Sequence, residues 1–307
     1  MNITTEGDSK KLPDFLIVGA AKSGTTSLYF YLKEHPQIFM PENKEPWFFS
    51  FMDNPTQFKS PDSLGGMISN IQTYISLFED ADDDQIIGEA SPSYLYTYET
   101  SINNIKKVYG KRYKDLKIII LLRNPVDRAF SQYQHFKKSM REPLSFKKAI
   151  EPKTISQRLN NNWSFFYDYI GVGMYYEQVK SYLENFDNVK VILFDEFKND
   201  TSRVVKELLR FLGVDTDLLP QNIGKRYNVS RVLRKDFLTP LYRFLFFSNN
   251  KVKKNLANLL PAKNKIIDAV HKLLLKRKKL KKKEKKEIME IFDEDFKRLK
   301  ELINSNT

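Results

Sequence analysis

Residues 14–34, DFLIVGAAKSGTTSLYFYLKE, constrain the fold more than any other stretch. Asp14 to Val18 turns apolar and rich in branched residues, which reads as a buried strand. Gly19 to Gly24 is a turn of small residues carrying one lysine, Lys22. From Thr25 to Glu34 the pattern is helical, with Leu28, Tyr31 and Leu32 on one face. A strand, a glycine turn and a helix in that order make a phosphate cradle. The first N–H groups of a helix lack internal partners and point outward with the positive end of the helix dipole. Gly19 and Gly24 let the backbone turn and approach an anion. Lys22 adds a full charge, and Ser23, Thr25, Thr26 and Ser27 add hydroxyls. An ordinary strand–helix turn that binds nothing is the bland alternative, and the lysine with its hydroxyl cluster argues against it.

The spacing also argues against a nucleotide-triphosphate loop. That motif places its lysine after the second glycine, followed directly by Ser or Thr. Here the order is Gly19-Ala20-Ala21-Lys22-Ser23-Gly24-Thr25-Thr26. No apolar strand ends in an Asp suited to Mg²⁺, so a P-loop kinase is the weaker reading. The stretch KSGTTSL, residues 22–28, instead resembles the 5′-phosphosulfate loop of sulfotransferases. Those enzymes use 3′-phosphoadenosine 5′-phosphosulfate (PAPS) and release adenosine 3′,5′-bisphosphate. The resemblance implies donor binding by Lys22, Ser23, Gly24, Thr25, Thr26 and Ser27.

The 307 residues suffice for one large α/β domain. With no cysteine, disulfides, thiolate metal sites and cysteine nucleophiles are excluded. No apolar run approaches the roughly 20 residues of a spanning helix, and the N-terminus lacks a signal-peptide core. The expectation is a cytoplasmic protein. A net charge of +13 suits an anionic cofactor, an anionic glycan, an acidic membrane surface or nucleic acid. A non-enzymatic polyanion-binding protein would also explain it, but no helix-turn-helix, zinc or aromatic RNA-binding signature appears, and no nucleic-acid partner is expected.

Further along, His35 follows the first helix and reads as a local packing residue. In Lys44-Glu45-Pro46-Trp47-Phe48-Phe49, Glu45 is either half of a solvated Lys–Glu pair or a carboxylate held at a cleft rim by the aromatic anchor, where it would suit general-base work. The acidic run Asp82-Asp83-Asp84 is contiguous and reads as a solvated turn rather than a metal site. Ile86 to Ala90 reads as a short strand. The run KIIILL, residues 117–122, is the clearest buried strand, of the kind a parallel sheet covers on both faces. Arg123 stands at its C-terminal end, where open α/β sheets bind ligands. Pro125 opens a helix through about Met140. A charged fork from Arg123 and a hydroxyl from Ser131 suit one phosphate; a strand-end salt bridge is the bland use of Arg123. Arg128 reads as half of an ion pair with a carboxylate, and His135 with Lys137-Lys138 as a solvated helix end. Trp163, Phe165, Phe166 and Tyr167 suit either sugar stacking or core packing. Val189 to Phe194 is another strand, and a helix over 202–212 ends at a Gly213 cap.

Three of these segments extend the sulfotransferase resemblance. LLRNPVDRAFSQY resembles the 3′-phosphate loop, which implies that Arg123 and Ser131 hold the 3′-phosphate. Lys44 to Phe49 is similar to the KE-aromatic segment of glycan sulfotransferases, which implies Glu45 as catalytic base beside Lys22. Glu89-Ala90-Ser91-Pro92-Ser93-Tyr94 is similar to their E-x-[ST]-P-x-Y segment, with Ala90 where several members carry a lysine. A basic loop over 221–235 corresponds to the one that closes over the bisphosphate, with Lys225 and Arg226 as its candidates. The chain is thus identified as resembling the bacterial-type, glycan-modifying branch of PAPS-dependent sulfotransferases. The implied fold is α/β, a P-loop-like three-layer architecture with a central parallel sheet flanked by helices. The implied reaction moves a sulfuryl group to a hydroxyl or amine of a glycan-type acceptor without a metal. The expected organisation is a flexible N-terminus over 1–13, the α/β domain over 14–235, and a basic helical extension over 236–307 packing on it. The lysine-rich part of 251–286 reads as a solvated helix face, with contact to an anionic membrane, at its inner face, or to a polysaccharide as the alternative use.

Overall fold

Five parallel strands carry the fold. The computed structural model describes residues 2–5, 8–61, 66–225, 227, 232–233, 275–276 and 279–305. A hairpin of Asn2–Thr5 (β1) and Asp8–Lys11 (β2) precedes the main sheet. That sheet comprises Phe15–Gly19 (β3), Ile38–Phe39 (β4), Ile86–Ala90 (β5), Lys117–Leu122 (β6) and Asn188–Leu193 (β7). Its order is β4-β5-β3-β6-β7, and every pairing is parallel.

Helices form the crossovers. Thr25–Lys33 (α1) follows β3, and Phe48–Phe51 (α2) and Ile71–Ile75 (α3) lie between β4 and β5. Ser93–Tyr96 (α4) and Tyr98–Tyr109 (α5) lead from β5 to β6. Pro125–Lys138 (α6), Phe146–Ala149 (α7), Pro152–Asn160 (α8) and Tyr175–Asn185 (α9) connect β6 to β7. Phe194–Asn199 (α10) and Thr201–Leu212 (α11) follow β7, and Lys282–Met289 (α12) and Asp293–Ser305 (α13) lie near the C-terminus.

Alternation along the strands builds three layers. Leu16, Val18, Ile118, Ile120 and Leu122 enter one core with Ile102 and Ile105 of α5 and Val179 of α9. Phe15, Ile17, Ile119 and Leu121 enter the opposite core with Leu28 and Leu32 of α1 and Leu208 of α11. Side chains alternate across a strand, so a strand covered on both faces must be apolar throughout. Each such burial contributes about 1.5–3 kcal/mol, enough to hold the short β3 at the sheet centre. Helix ends follow their local signals. Asn124 caps α6 by accepting from the Asp127 amide at 3.2 Å, with Pro125 inside it. Gly213 ends α11 at φ 84°, left-handed backbone that glycine adopts without strain.

One segment differs from the sequence expectation, and a second settles an alternative that the sequence leaves open. The lead-in before residue 14 pairs as a hairpin, and its Leu12 is fully buried. The aromatic stretch packs inward: Phe165, Phe166 and Tyr167 join a third core cluster with Trp47, Phe130 and Phe146. Burial leaves their faces unavailable for stacking on a sugar. The same cluster encloses an ion pair. Arg158 donates both terminal nitrogens to Glu142 at 2.8 Å, and Tyr169 donates to Glu142 at 2.7 Å. Arg158→Ala strands that carboxylate and should lower the urea-unfolding free energy by about 3–5 kcal/mol. A loss near zero would show that the pair carries no buried charge.

Candidate active site

The C-terminal ends of the strands converge on one edge, where open α/β sheets present their loops. The loop after β3 carries Lys22, the loop after β4 carries Glu45, Arg123 follows β6, and Phe194 follows β7. Ala20 N–H donates to the Leu121 carbonyl at 2.7 Å, which ties the first loop to β6. Arg123 Nη1 then donates to the Lys22 carbonyl at 3.2 Å. Adjacent strands thus deliver the two predicted phosphate cations to one place.

Within the first loop, Lys22 adopts φ 68° and Gly24 φ 100°. Ser23 N–H bonds the Ala20 carbonyl, and Ser27 and Leu28 N–H groups bond the Gly24 carbonyl. The Gly24, Thr25 and Thr26 N–H groups remain at the start of α1, the arrangement an anion needs. The Ser23 side chain is fully buried, and its N–H is taken up by the Ala20 carbonyl within the loop. Ser27 Oγ accepts from the Tyr227 amide at 3.3 Å. Leu95 fills the space a Gly19 Cβ would occupy, and a Cβ on Gly24 would stand about 3.1 Å from the Phe194 ring. Both glycines also let neighbouring side chains pack close to the loop.

Electrostatics concentrate on Lys22. Burial draws its ammonium down to about 8; Glu45 counters this, and Arg123, Lys44 and Arg128 reinforce it. Burial likewise lowers the Arg123 guanidinium, which stacks 4.9 Å from the Phe194 ring centroid. Ser131 lies on α6, nearly buried, two turns beyond Arg123. Arg128 does not pair with a carboxylate as its surroundings in sequence suggested; its Nη2 donates to the Tyr169 carbonyl at 2.7 Å. His135 is exposed over part of its surface, while burial of its ring and then the charge of Lys22 depress its imidazolium. Exposed Lys225 lies beside α1, where its carbonyl accepts from the Tyr31 hydroxyl at 2.9 Å. Arg226 lies outside the described residues, as does most of the lysine-rich run in 251–286.

Glu45 sits on a strained arm. It and Trp47 have φ 63° and 55°, so three of the six described non-glycine residues at positive φ line this site. Such backbone costs about 1–3 kcal/mol per residue and survives where surrounding bonds impose it. Those bonds come from the 91–94 loop. Trp47 N–H donates to Ser91 Oγ at 3.0 Å, Phe49 N–H to the Tyr94 hydroxyl at 3.3 Å, and Ser50 Oγ to Ser93 Oγ at 3.0 Å. Lys44 forms an ion pair with Glu45, whose side chain is 30% exposed. Lys44 was not singled out as a site residue by sequence; its adjacency to Glu45 was the available signal. It supplies a cation beside both Glu45 and Glu89 where Ala90 supplies none. His35 is structural: it is buried, and its Nε2 is hydrogen-bonded to the Asp215 carbonyl. Among the described residues no cluster of His, Asp or Glu is arranged to hold a metal.

The family model described as Sulfotransferase domain matches residues 12–300. The chain belongs to the sulfotransferase domain family. A solved sulfotransferase from Alicyclobacillus acidocaldarius is 39% identical, with a TM-score of 0.64, and the match covers 76% of this chain and 91% of that one. The membrane-associated sulfotransferase kil1 of Dictyostelium discoideum is 34% identical over 149 residues, 47% of this chain and 28% of that protein. Human heparan sulfate glucosamine 3-O-sulfotransferase 3B1 is 28% identical over 209 residues, 67% of this chain and 47% of that protein. The chain thus spans less than half the length of these curated relatives. The family match runs through α12 and most of α13, so the C-terminal helices belong to this sulfotransferase domain.

Beneath the site of this sulfotransferase domain lies Glu89, fully buried at the end of β5. The Tyr94 hydroxyl donates to it at 2.7 Å and the Tyr74 hydroxyl at 3.3 Å. Burial pushes its carboxyl from 4.5 up to about 7, despite bonds from Ser91, Tyr94 and Tyr74 that favour the charged form. Between those values the unfolded chain holds fewer protons than the folded one. Stability should therefore fall by about 3 kcal/mol as pH rises from about 4.5 to 7, then level off. Denaturation at several pH values should show this slope flattened in Glu89→Gln. An unchanged slope would assign the effect to another group.

Proposed function

We propose that this domain transfers a sulfuryl group from PAPS to a hydroxyl or amine of a glycan. The observation that carries this reading is the bond from Arg123 to the Lys22 carbonyl, which joins two cationic loops over the unpaired amides of α1. One loop with one lysine would suit any phosphate. Two joined loops suit a ligand with phosphate at both ends. Lys22 and the Gly24, Thr25 and Thr26 amides would hold the 5′-phosphosulfate, and Arg123 with Ser131 the 3′-phosphate. The half-buried, partly destabilised Lys22 charge fits an anionic donor, which would restore its proton affinity. Lys225 beside α1 is placed to approach the same ligand.

In the proposed reaction, the acceptor O–H or N–H lies against Glu45. Glu45 takes the proton as the acceptor atom bonds to sulfur. The bond from sulfur to the 5′-phosphate oxygen breaks, and its electron pair leaves on that oxygen. Lys22 and the helix amides stabilise the charge that develops there. The Lys44–Glu45 pair and the strained backbone of this arm hold the carboxylate toward Lys22. The glycan class is supported by the name of the human relative and by the net charge of +13.

Thermal-shift measurements test the donor. PAPS and adenosine 3′,5′-bisphosphate should each raise the melting temperature, whereas ATP with Mg²⁺ should not; the reverse result would sink this reading. The affinity for the bisphosphate should fall as pH rises through about 8, because Lys22 loses its proton there in the free protein. With labelled PAPS and a panel of anionic and neutral glycans, Glu45→Gln should slow transfer by about 10²–10⁴-fold and leave bisphosphate binding intact. Lys22→Ala should slow it by about 10²–10³-fold. A Glu45→Gln rate near wild type would remove Glu45 as the base.

A further inference from the structure

Arg128 is the most unusual charge in the molecule. It lies on α6 one turn before Ser131 and is fully buried. A guanidinium has five donors and does not shed its proton in proteins. Here one nitrogen, Nη2, bonds the Tyr169 carbonyl, while Nε and Nη1 find no partner. No described carboxylate lies within ion-pairing distance of it. Asp168, the carboxylate whose charge reaches Arg128, already accepts from the Tyr96 hydroxyl at 3.0 Å and the Gly171 amide at 2.7 Å. Its other charged neighbours are cations, Arg123 and Lys22. An uncompensated buried charge of this kind is strongly unfavourable in a folded protein. Two more groups with unmet hydrogen-bonding capacity accompany it, one of them in the phosphosulfate loop itself. The Tyr175 hydroxyl and Ser23 Oγ are both buried in no well-formed hydrogen bond, and the Tyr175 hydroxyl is directed at Ser23 and the Arg123 backbone. Orphaned donors gathered under one loop call for an explanation. The missing negative charge belongs on the other side of that loop.

We propose that Arg128 is a positioning cation for the donor: without touching it, its buried and unpaired charge acts through Ser23, Tyr175 and the loop backbone to strengthen binding of both phosphates. This rests on the PAPS reading above. Binding of a doubly phosphorylated nucleotide supplies the counter-charge the free protein lacks. The rival explanation is mechanical, that Arg128 only holds the 165–171 segment through Tyr169.

Three substitutions separate charge from mechanics. Arg128→Lys keeps the charge, Arg128→Gln keeps a donor for the Tyr169 carbonyl without charge, and Arg128→Met keeps neither. Affinity for adenosine 3′,5′-bisphosphate is measured by calorimetry, with the melting temperature of the unliganded protein beside it. The Lys variant should bind within about threefold of wild type. The Gln and Met variants should bind about 10- to 100-fold more weakly, with unliganded melting temperatures no lower than that of the Lys variant. The loss should persist at 0.5 M salt, since buried charges are screened little, whereas any loss in Lys225→Ala should fade there. Should Arg128→Met fail to fold, the Gln and Lys variants carry the comparison. Wild-type affinity in Arg128→Gln, or equal losses in the Lys and Gln variants, would overturn this inference while leaving the PAPS reading intact. A wild-type protein that does not bind the bisphosphate overturns both.

Discussion

The site depends on a lysine kept charged where charge is unwelcome. Lys22 is half-buried in a left-handed turn, with Arg123, Arg128 and Lys44 nearby and Glu45 as the carboxylate that supports it. Like charges at this density repel, and the protein holds them by backbone geometry. The Arg123 bond to the Lys22 carbonyl and the Ala20 bond to β6 fix the loop from below. A rigid cluster of cations is pre-organised for an anion, because no reorganisation is needed when charge arrives or develops.

Much of the remaining chain braces that cluster. The 91–94 loop uses three hydroxyls to hold the Glu45 arm in a conformation it would not adopt alone. The C-terminal helices hold the other side. Lys285 of α12 pairs with Asp127 of α6 at 2.7 Å, and the Asp295 carboxylate accepts from the Tyr175 and Tyr176 amides at the start of α9. An acidic cap at a helix N-terminus complements the dipole there. Phe292 packs against Gly173, where a side chain would collide with it at 3.0 Å. Helices α12 and α13 and the turn between them thus brace the two helices that carry Ser131, Arg128 and Tyr175. Among the described residues no helix is long and apolar enough to cross a membrane.

The central strands and their helices were legible because their signals are local: the KIIILL run, the Pro125 start, the Gly213 stop and the face of Leu28, Tyr31 and Leu32. The meeting of Lys22 and Arg123 was legible for the same reason, since a strand end followed by a turn predicts its own place on the sheet edge. Arg128 was misread because its lack of a carboxylate partner is a fact about distant residues. The buried fate of Phe165, Phe166 and Tyr167, and the seating of Leu12, depend likewise on surfaces supplied by other segments. Aromatic composition suits a sugar platform and a core equally well.

By itself, then, the sequence determined the parallel α/β class, the glycine turn between β3 and α1 and the meeting of that turn with Arg123. Short-range backbone preferences and apolar periodicity act within a few residues, so they can be read in order along the chain. Only the tertiary structure decided that the Glu45 charge reaches Lys22, that the Ser23 side chain is buried, and that Lys44 pairs with Glu45 while its charge also reaches Glu89, where Ala90 offers none. Those outcomes are set by which loops share the sheet edge, and so by contacts between residues tens of positions apart. Electrostatic energy in a buried site depends on distances in space, and sequence spacing does not encode them.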